Sequence, residues 1–517
     1  MPLTSWRARG RRAYRTMMKH LGVDRYWLLS KVARKERAIP HLMGTLMAYM
    51  AIALLFPMAV ALFYGEDERI WLFPFMLVLI VGGALLVRYR PPEVTRPSEA
   101  LFVVATSYLV AVMVGAIPFM MSGMPPVDAI FEMMSGFTTT GSTIMTDIES
   151  WSRSLLFWRS FSQWLGGAGI IMIFVSMLPM LGVGGRALIK NEFPGLNIQN
   201  FSLRIQEESK KFHYIYIALS AVQLGLLLLT GIGIYDSLLV MFSTASSGGL
   251  SPHSGSIAYY DNVLVEWIVM IFMFLAGTNF YLHYHVFATR RIRNYWKNTE
   301  FRAYVALICL ASAAVFYAIW NGDIRDIEPM ARTALFQVVS VITSTGFATA
   351  DFATWSGSAV LVLMLMTAIG GSTGSTAGGI KVVRFVLSWE FVYASLYKMV
   401  HPRAVFYARL DGRPLGQEAL TSLMAVVVCF IGTVTLTTVA LTFMGVEPIT
   451  ALGGAVSTIS NSGGGIGALG PMGSYAGIPA AGKIVLTLAM WAGRLEFLTV
   501  FVILTPVFWR ELLRYHD

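Results

Sequence analysis

Ten apolar runs, most of them long enough to cross about 30 Å of hydrocarbon, leave this chain few folds to choose from. They occupy residues 42–64, 70–87, 101–121, 155–181, 214–234, 263–287, 301–320, 358–399, 419–444 and 484–508. Backbone in hydrocarbon must satisfy its own hydrogen bonds, so each run reads as a helix. The chain is expected to be an all-α polytopic membrane protein. With 56% hydrophobic and 13% charged residues and a mean hydropathy of +0.63, it lies outside the usual range of a soluble domain.

The net charge of +10 is spread between the spans and not gathered on one surface, which argues against a nucleic-acid partner. Basic residues mark alternate connections: Arg88, Arg90 and Arg96, then Arg186 and Lys190, then Arg290, Arg291, Arg293 and Lys297. The intervening connections carry Glu66, Asp67, Glu68, Asp147, Glu149, Asp323, Asp326 and Glu328, with Arg69, Arg153 and Arg325 as exceptions. By the positive-inside rule the basic loops are cytosolic, and ten spans then place both termini there too. Residues 7–37 carry eleven Lys/Arg before the first apolar run, which is a basic tail suited to anionic lipid and not a cleavable signal. Cys309 and Cys429 both fall inside apolar runs and read as small core residues, with no disulfide framework.

Four outer segments lying between spans resemble one another: DAIFEMMSGFTTTGST from Asp128, DSLLVMFSTASSGGLS from Asp236, EPMARTALFQVVSVITSTGFAT from Glu328 and EPITALGGAVSTISNSGGGIG from Glu447. In each, an acidic residue opens a short apolar helix, with Pro329 or Pro448 suited to the first turn in two of them, and a Ser/Thr-rich stretch ends at a glycine. Those glycines, Gly141, Gly248, Gly346 and Gly463, lie 107, 98 and 117 residues apart. Each interval encloses two spans, so the repeats are parallel. A helix that enters from outside and stops within the membrane must be followed by irregular backbone, which survives there only where it lines a wet cavity. Four such helices around one axis can aim carbonyl oxygens at a cation, with glycine supplying left-handed backbone. No carboxylate lies in the Ser/Thr-to-glycine stretches, which favours a weakly hydrated monovalent ion over calcium.

The eighth run is too long for one span, and its middle reads GGSTGSTAGG over residues 370–379. The helix is expected to break there, with Gly370, Gly371, Gly374, Gly378 and Gly379 forming a movable gate below the filter, or else a close helix-packing site. A phosphate cradle would need Gly-Lys-Ser/Thr, and here Ile380 separates Gly379 from Lys381. Arg494 and Glu496 sit inside the last span, where ionisable groups are expensive. Arg494 reads as a cation facing the pore beneath the filter, or as a structural charge held by Glu496 or by freed carbonyls. Asn279 and Gln163 read as ties between helices. His283 and His285 lack the spacing of a metal or catalytic pair, so no enzyme is expected.

TTTGS, STGFATADF, GGSTGSTAGGIKVVR, QWLGGAGI and GRLE together resemble the TrkH/KtrB superfamily of potassium transporters over nearly everything after Leu101. The leading pair of spans is similar to the TrkH branch. The resemblance implies potassium uptake at the inner membrane, a homodimer with one pore per protomer, and a cytosolic nucleotide-binding regulator of the TrkA kind. It implies ion sites at Thr139, Thr140 and Gly141; Ser246, Ser247 and Gly248; Ser344, Thr345 and Gly346; and Asn461, Ser462 and Gly463. Potassium is then the transported ion, and no covalently bound cofactor is implied. Gly464 departs from the pattern, standing where such proteins often have proline. The expected organisation is a basic tail (1–40), a two-helix unit (41–97) and pore repeats at 98–190, 191–298, 299–410, with its second helix broken, and 411–517. A proton- or sodium-coupled symporter with alternating access is the alternative, and inverted repeats would favour it.

Overall fold

The structure, a computed structural model, describes residues 35–90, 97–177, 201–320, 322–401, 409–414 and 417–513. Most of the predicted basic tail, together with Arg96, Arg186 and Lys190, lies outside the described residues. The described chain is nearly all helix. Its four two-residue strands form only a parallel pair, β1 (Lys35–Glu36) with β2 (Tyr89–Arg90), and a hairpin, β3 (Arg409–Leu410) with β4 (Arg413–Pro414).

Helices α1 (Ala38–Tyr64) and α2 (Arg69–Arg88) pack on each other as the leading pair. Gly44 and Gly82 let their backbones approach, since a β-carbon on Gly82 would lie 2.8 Å from that of Met47. The first repeat comprises α3 (Pro97–Met121), α4 (Pro126–Phe137) and α5 (Arg153–Met177), and the second comprises α6 (Phe201–Leu229), α7 (Ile234–Ala245), α8 (Val263–Ala276) and α9 (Phe280–Thr289). After the short α10 (Arg293–Lys297), the third has α11 (Thr299–Ile319), α12 (Ile327–Ile342), α13 (Gly357–Ile369) and α14 (Val382–Val400). The fourth has α15 (Gln417–Phe443), α16 (Pro448–Ile459), α17 (Ala480–Arg494), α18 (Leu498–Ile503) and α19 (Pro506–Leu513).

The short helices α4, α7, α12 and α16 each pack between the two long helices of their own repeat. Each also packs against the second helix of the preceding repeat: α5 on α7, α8 on α12, α13 on α16, and α17 back on α4. That cyclic order closes four parallel repeats into a ring. Two of these joints are ion pairs, Lys483 to Asp128 at 2.8 Å and Arg332 to Glu266. The short helices start where their sequences say. Asp128, Asp236 and Glu328 lie in first turns, Pro448 opens α16, and the Glu447 carboxylate caps it by accepting from the Thr450 amide at 3.0 Å.

Readings of two kinds need correction, of helix continuity and of burial. Six described helices are long and apolar enough to cross a membrane, and a seventh crossing is the pair α8 and α9, bent by 96°. The run 263–287 is not the single helix its composition predicts, since Gly277 ends α8 and Asn279 begins α9. The Asn279 side chain accepts from the amides of Tyr281 and Leu282, which makes it a cap and not a tie between helices. His283 bridges the same break, one ring nitrogen 2.8 Å from the freed Leu275 carbonyl. The last run breaks as well, between α17 and α18, where Glu496 and Phe497 take positive φ. Apolar composition reports the solvent of a segment and not its continuity. The second correction is Cys309, which is exposed on α11 and not in the core; in a membrane an apolar residue can face lipid.

Candidate ion pathway

Each short helix ends in the same turn. Thr139, Ser247, Ser344 and Asn461 have φ of 55°, 55°, 54° and 51°, the left-handed region that non-glycine residues seldom visit. The next amide in each, that of Thr140, Gly248, Thr345 or Ser462, donates to a serine carbonyl five residues back, at 2.8 to 2.9 Å. Those serines are Ser135, Ser243, Ser340 and Ser457. The Ser243 and Ser340 hydroxyls also donate forward to Leu250 and Phe347 carbonyls at 2.7 and 2.6 Å, and Ser457 donates to that of Ser462. The following residues are Gly141, Gly249, Gly346 and Gly463. Gly248 thus occupies the place of Thr140, and the residue that sequence reasoning missed is Gly249. The serine spacing was the available signal, since each of these glycines follows its serine by six residues.

The four turns meet edge to edge. A β-carbon on Gly141 would lie 2.3 Å from the Gly248 carbonyl oxygen, one on Gly249 1.6 Å from that of Thr345, one on Gly346 2.9 Å from the Gly463 amide nitrogen, and one on Gly463 2.7 Å from the Gly141 oxygen. Every neighbouring pair around the ring is therefore in backbone contact. Ser246 stands one residue before Ser247, in the place of Thr138, and its hydroxyl donates to the Phe242 carbonyl at 2.8 Å. Gln163 reaches from α5 to brace the second turn, donating to the Gly248 oxygen at 2.7 Å and accepting from the Leu250 amide at 3.2 Å. It binds this backbone and not another helix.

Between α13 and α14 the chain leaves helical geometry, with φ of 77°, 70° and 81° at Gly370, Gly374 and Gly379. This loop presses against the ring. The Gly378 amide donates to the Ser344 hydroxyl at 2.6 Å, the Thr376 and Ser247 hydroxyls are 2.8 Å apart, and a β-carbon on Gly378 would lie 2.1 Å from the Ser460 oxygen. A β-carbon on Gly371 would meet that of Ala377 at 2.6 Å, so the loop is closely folded on itself. Its base is fixed by the buried Glu300 carboxylate, which accepts from the amides of Thr373 and Val383 at 2.6 and 3.3 Å. Arg494, buried, spans the remaining side by donating to the carbonyls of Thr376 at 3.1 Å and Gly166 at 3.3 Å. Its partners are carbonyls; Glu496 pairs with Lys381 at 3.1 Å and with Arg384.

Four parallel repeats, each contributing a short helix whose end turns into a shared backbone ring, define a multi-pass membrane protein of the pore-helix class. Residues 71–509 match the family described as TrkH, cation transport protein, and the chain belongs to that family. It is 33% identical to the Trk system potassium uptake protein TrkH of Salmonella typhimurium over 92% of this chain and 99% of that one. It is 29% identical to the Trk system potassium uptake protein TrkG of Escherichia coli over 92% and 99%. The crystal structure of the potassium transporter TrkH from Vibrio parahaemolyticus superposes with a TM-score of 0.82 at 30% identity, covering 91% of this chain and 99% of that one. The protein is a transporter and not an enzyme.

Proposed function

We propose that this protein takes up potassium across the cytoplasmic membrane through a channel-like pore, with the four turns as carbonyl selectivity filter and the 370–379 loop with Arg494 as gate. The observation that carries the reading is the ring of four like turns. Short helices direct the negative ends of their dipoles at one place, and the left-handed residue in each frees carbonyls that would otherwise stay in helical hydrogen bonds. The relatives named as potassium uptake proteins support the choice of ion. Filter residues are then Thr139, Thr140 and Gly141; Ser246, Ser247, Gly248 and Gly249; Ser344, Thr345 and Gly346; and Asn461, Ser462 and Gly463.

The gate reading draws on the loop's position against three of the four turns and on its ties to Glu300 and Arg494. Parallel repeats favour this path over alternating access. The same reading takes the repeat boundaries as 98–190, 191–298, 299–410 and 411–517, the assembly as a homodimer with a TrkA-like nucleotide-binding regulator on the cytosolic face, and both termini as cytoplasmic. Rubidium and sodium uptake into proteoliposomes tests it. Gly346→Ser, which forces a β-carbon onto the Gly463 amide at φ 82°, is expected to narrow a rubidium preference. Equal rubidium and sodium uptake by the unaltered protein, or an unchanged ratio in the variant, would contradict the filter.

A further inference from the structure

The most completely buried ion pair in the described chain lies behind the first turn and has no counterpart at the equivalent positions of the other three. Glu132 on α4 and Arg159 on α5 are 0% and 1% exposed, with Nε to Oε1 at 2.5 Å. The Glu132 carboxylate also accepts from the Thr143 hydroxyl at 3.0 and 3.2 Å and from the Ile144 amide at 2.8 Å. These residues directly follow Gly141 and Ser142, so the carboxylate holds the outer end of that filter strand. Arg159 Nη1 donates to the Ser251 carbonyl at 2.8 Å, just past Gly249 and Leu250 of the second strand. On the other side, the Thr143 carbonyl accepts from the Tyr475 amide at 2.9 Å, in the fourth repeat. One pair therefore locks the outer ends of two adjacent strands against a third repeat.

The serine register shows what stands elsewhere. Three residues before Ser135, Ser243, Ser340 and Ser457 lie Glu132, Val240, Gln337 and Gly454. Gln337 makes a single neutral bond, donating to Ala350 at 3.1 Å, and Val240 and Gly454 have no side chain able to make one. Burying two charges has a desolvation cost that a well-packed apolar pair avoids, so stability alone does not call for this pair. Charge-assisted bonds are shorter and stronger than neutral ones, and here three donors converge on one carboxylate. Holding a strand in place fixes the spacing of its carbonyls, which is one way a site favours one ion size.

We infer that Glu132 and Arg159 are positioning residues that set ion discrimination by fixing the outer mouth of the filter, without touching the ion. The inference rests on the filter reading above. Its test measures the ratio of rubidium to sodium uptake in proteoliposomes, a quantity independent of how much of the sample is folded. The double variant Glu132→Gln/Arg159→Gln removes both charges together and leaves no orphaned ion, while Arg159→Lys keeps the charge and loses the fork that reaches Ser251. Both are expected to keep rubidium uptake and lower the ratio about fivefold, which corresponds to about 1 kcal/mol.

An unchanged ratio in either variant, recovered as monodisperse protein, would overturn the inference. If the double variant is not recovered, Arg159→Lys decides alone. Gly346→Ser, measured beside them, separates the two readings. A shift there with none in the Glu132 and Arg159 variants defeats only this inference, and no shift in any of them defeats the filter itself.

Discussion

At the scale of single residues, the backbone asks for glycine at one position per turn more strictly than at its neighbour. Gly249 combines φ of 72° with a would-be β-carbon 1.6 Å from backbone, whereas the nearest atoms to a β-carbon on Gly248, from 2.4 Å, belong to the end of the Gln163 side chain. Gly249→Ala is therefore expected to lower rubidium uptake about tenfold, equivalent to about 1.4 kcal/mol, and Gly248→Ala distinctly less. Uptake assays on the two variants side by side check this, and the reverse order would place the ring one residue earlier. The sequence made the Ser/Thr-to-glycine turns visible because their composition is foreign to a membrane helix. It left the register of the second turn open because Gly248 and Gly249 are adjacent and only the serine six residues upstream chooses between them. Glu132 and Arg159 stayed hidden for another reason: one charge inside a short outer helix and one in a span show nothing until the fold brings them together.

Among the elements, the helices that follow the four turns hold the proposed gate, and among the described residues three of the four are broken. Breaks at 277–279, at 370–381 and at 495–497 place uncapped carbonyls and irregular backbone at membrane depth, where each needs a partner. Only the middle one was legible, because ten residues of Gly, Ser, Thr and Ala are foreign to a membrane helix, whereas the others turn on a few residues within apolar runs. The partners found are specific: Asn279 and His283 at the first break, Glu300 and Arg494 at the loop, and Lys381 and Arg384 on Glu496 at the last. Arg494→Ala removes the tie to Thr376 and a cation beneath the ring. Basal rubidium flux is expected to rise about tenfold or more, since one hydrogen bond to a charged group is worth about 1.5–3 kcal/mol. Flux equal to that of the unaltered protein would make Arg494 a structural charge only.

For the whole molecule, the decisive property is cyclic order. Each second helix supports the next short helix, the last returns to the first, and the four turns touch in the same sequence. The number and sense of the repeats could be counted from glycine spacing and span parity, since those depend on chain length alone. Side chains facing lipid and side chains facing the core could not be separated, as Cys309 shows, because both environments select apolar residues. A ring of equivalent turns makes a demand that a single site does not: every quarter must contribute to the same selectivity. The direct test is the rubidium to sodium uptake ratio of four variants, Gly141→Ser, Gly249→Ser, Gly346→Ser and Gly463→Ser, against the unaltered protein. The ring predicts a lowered ratio in all four. A ratio unmoved by every one of them would contradict a shared filter and leave the turns as structure alone.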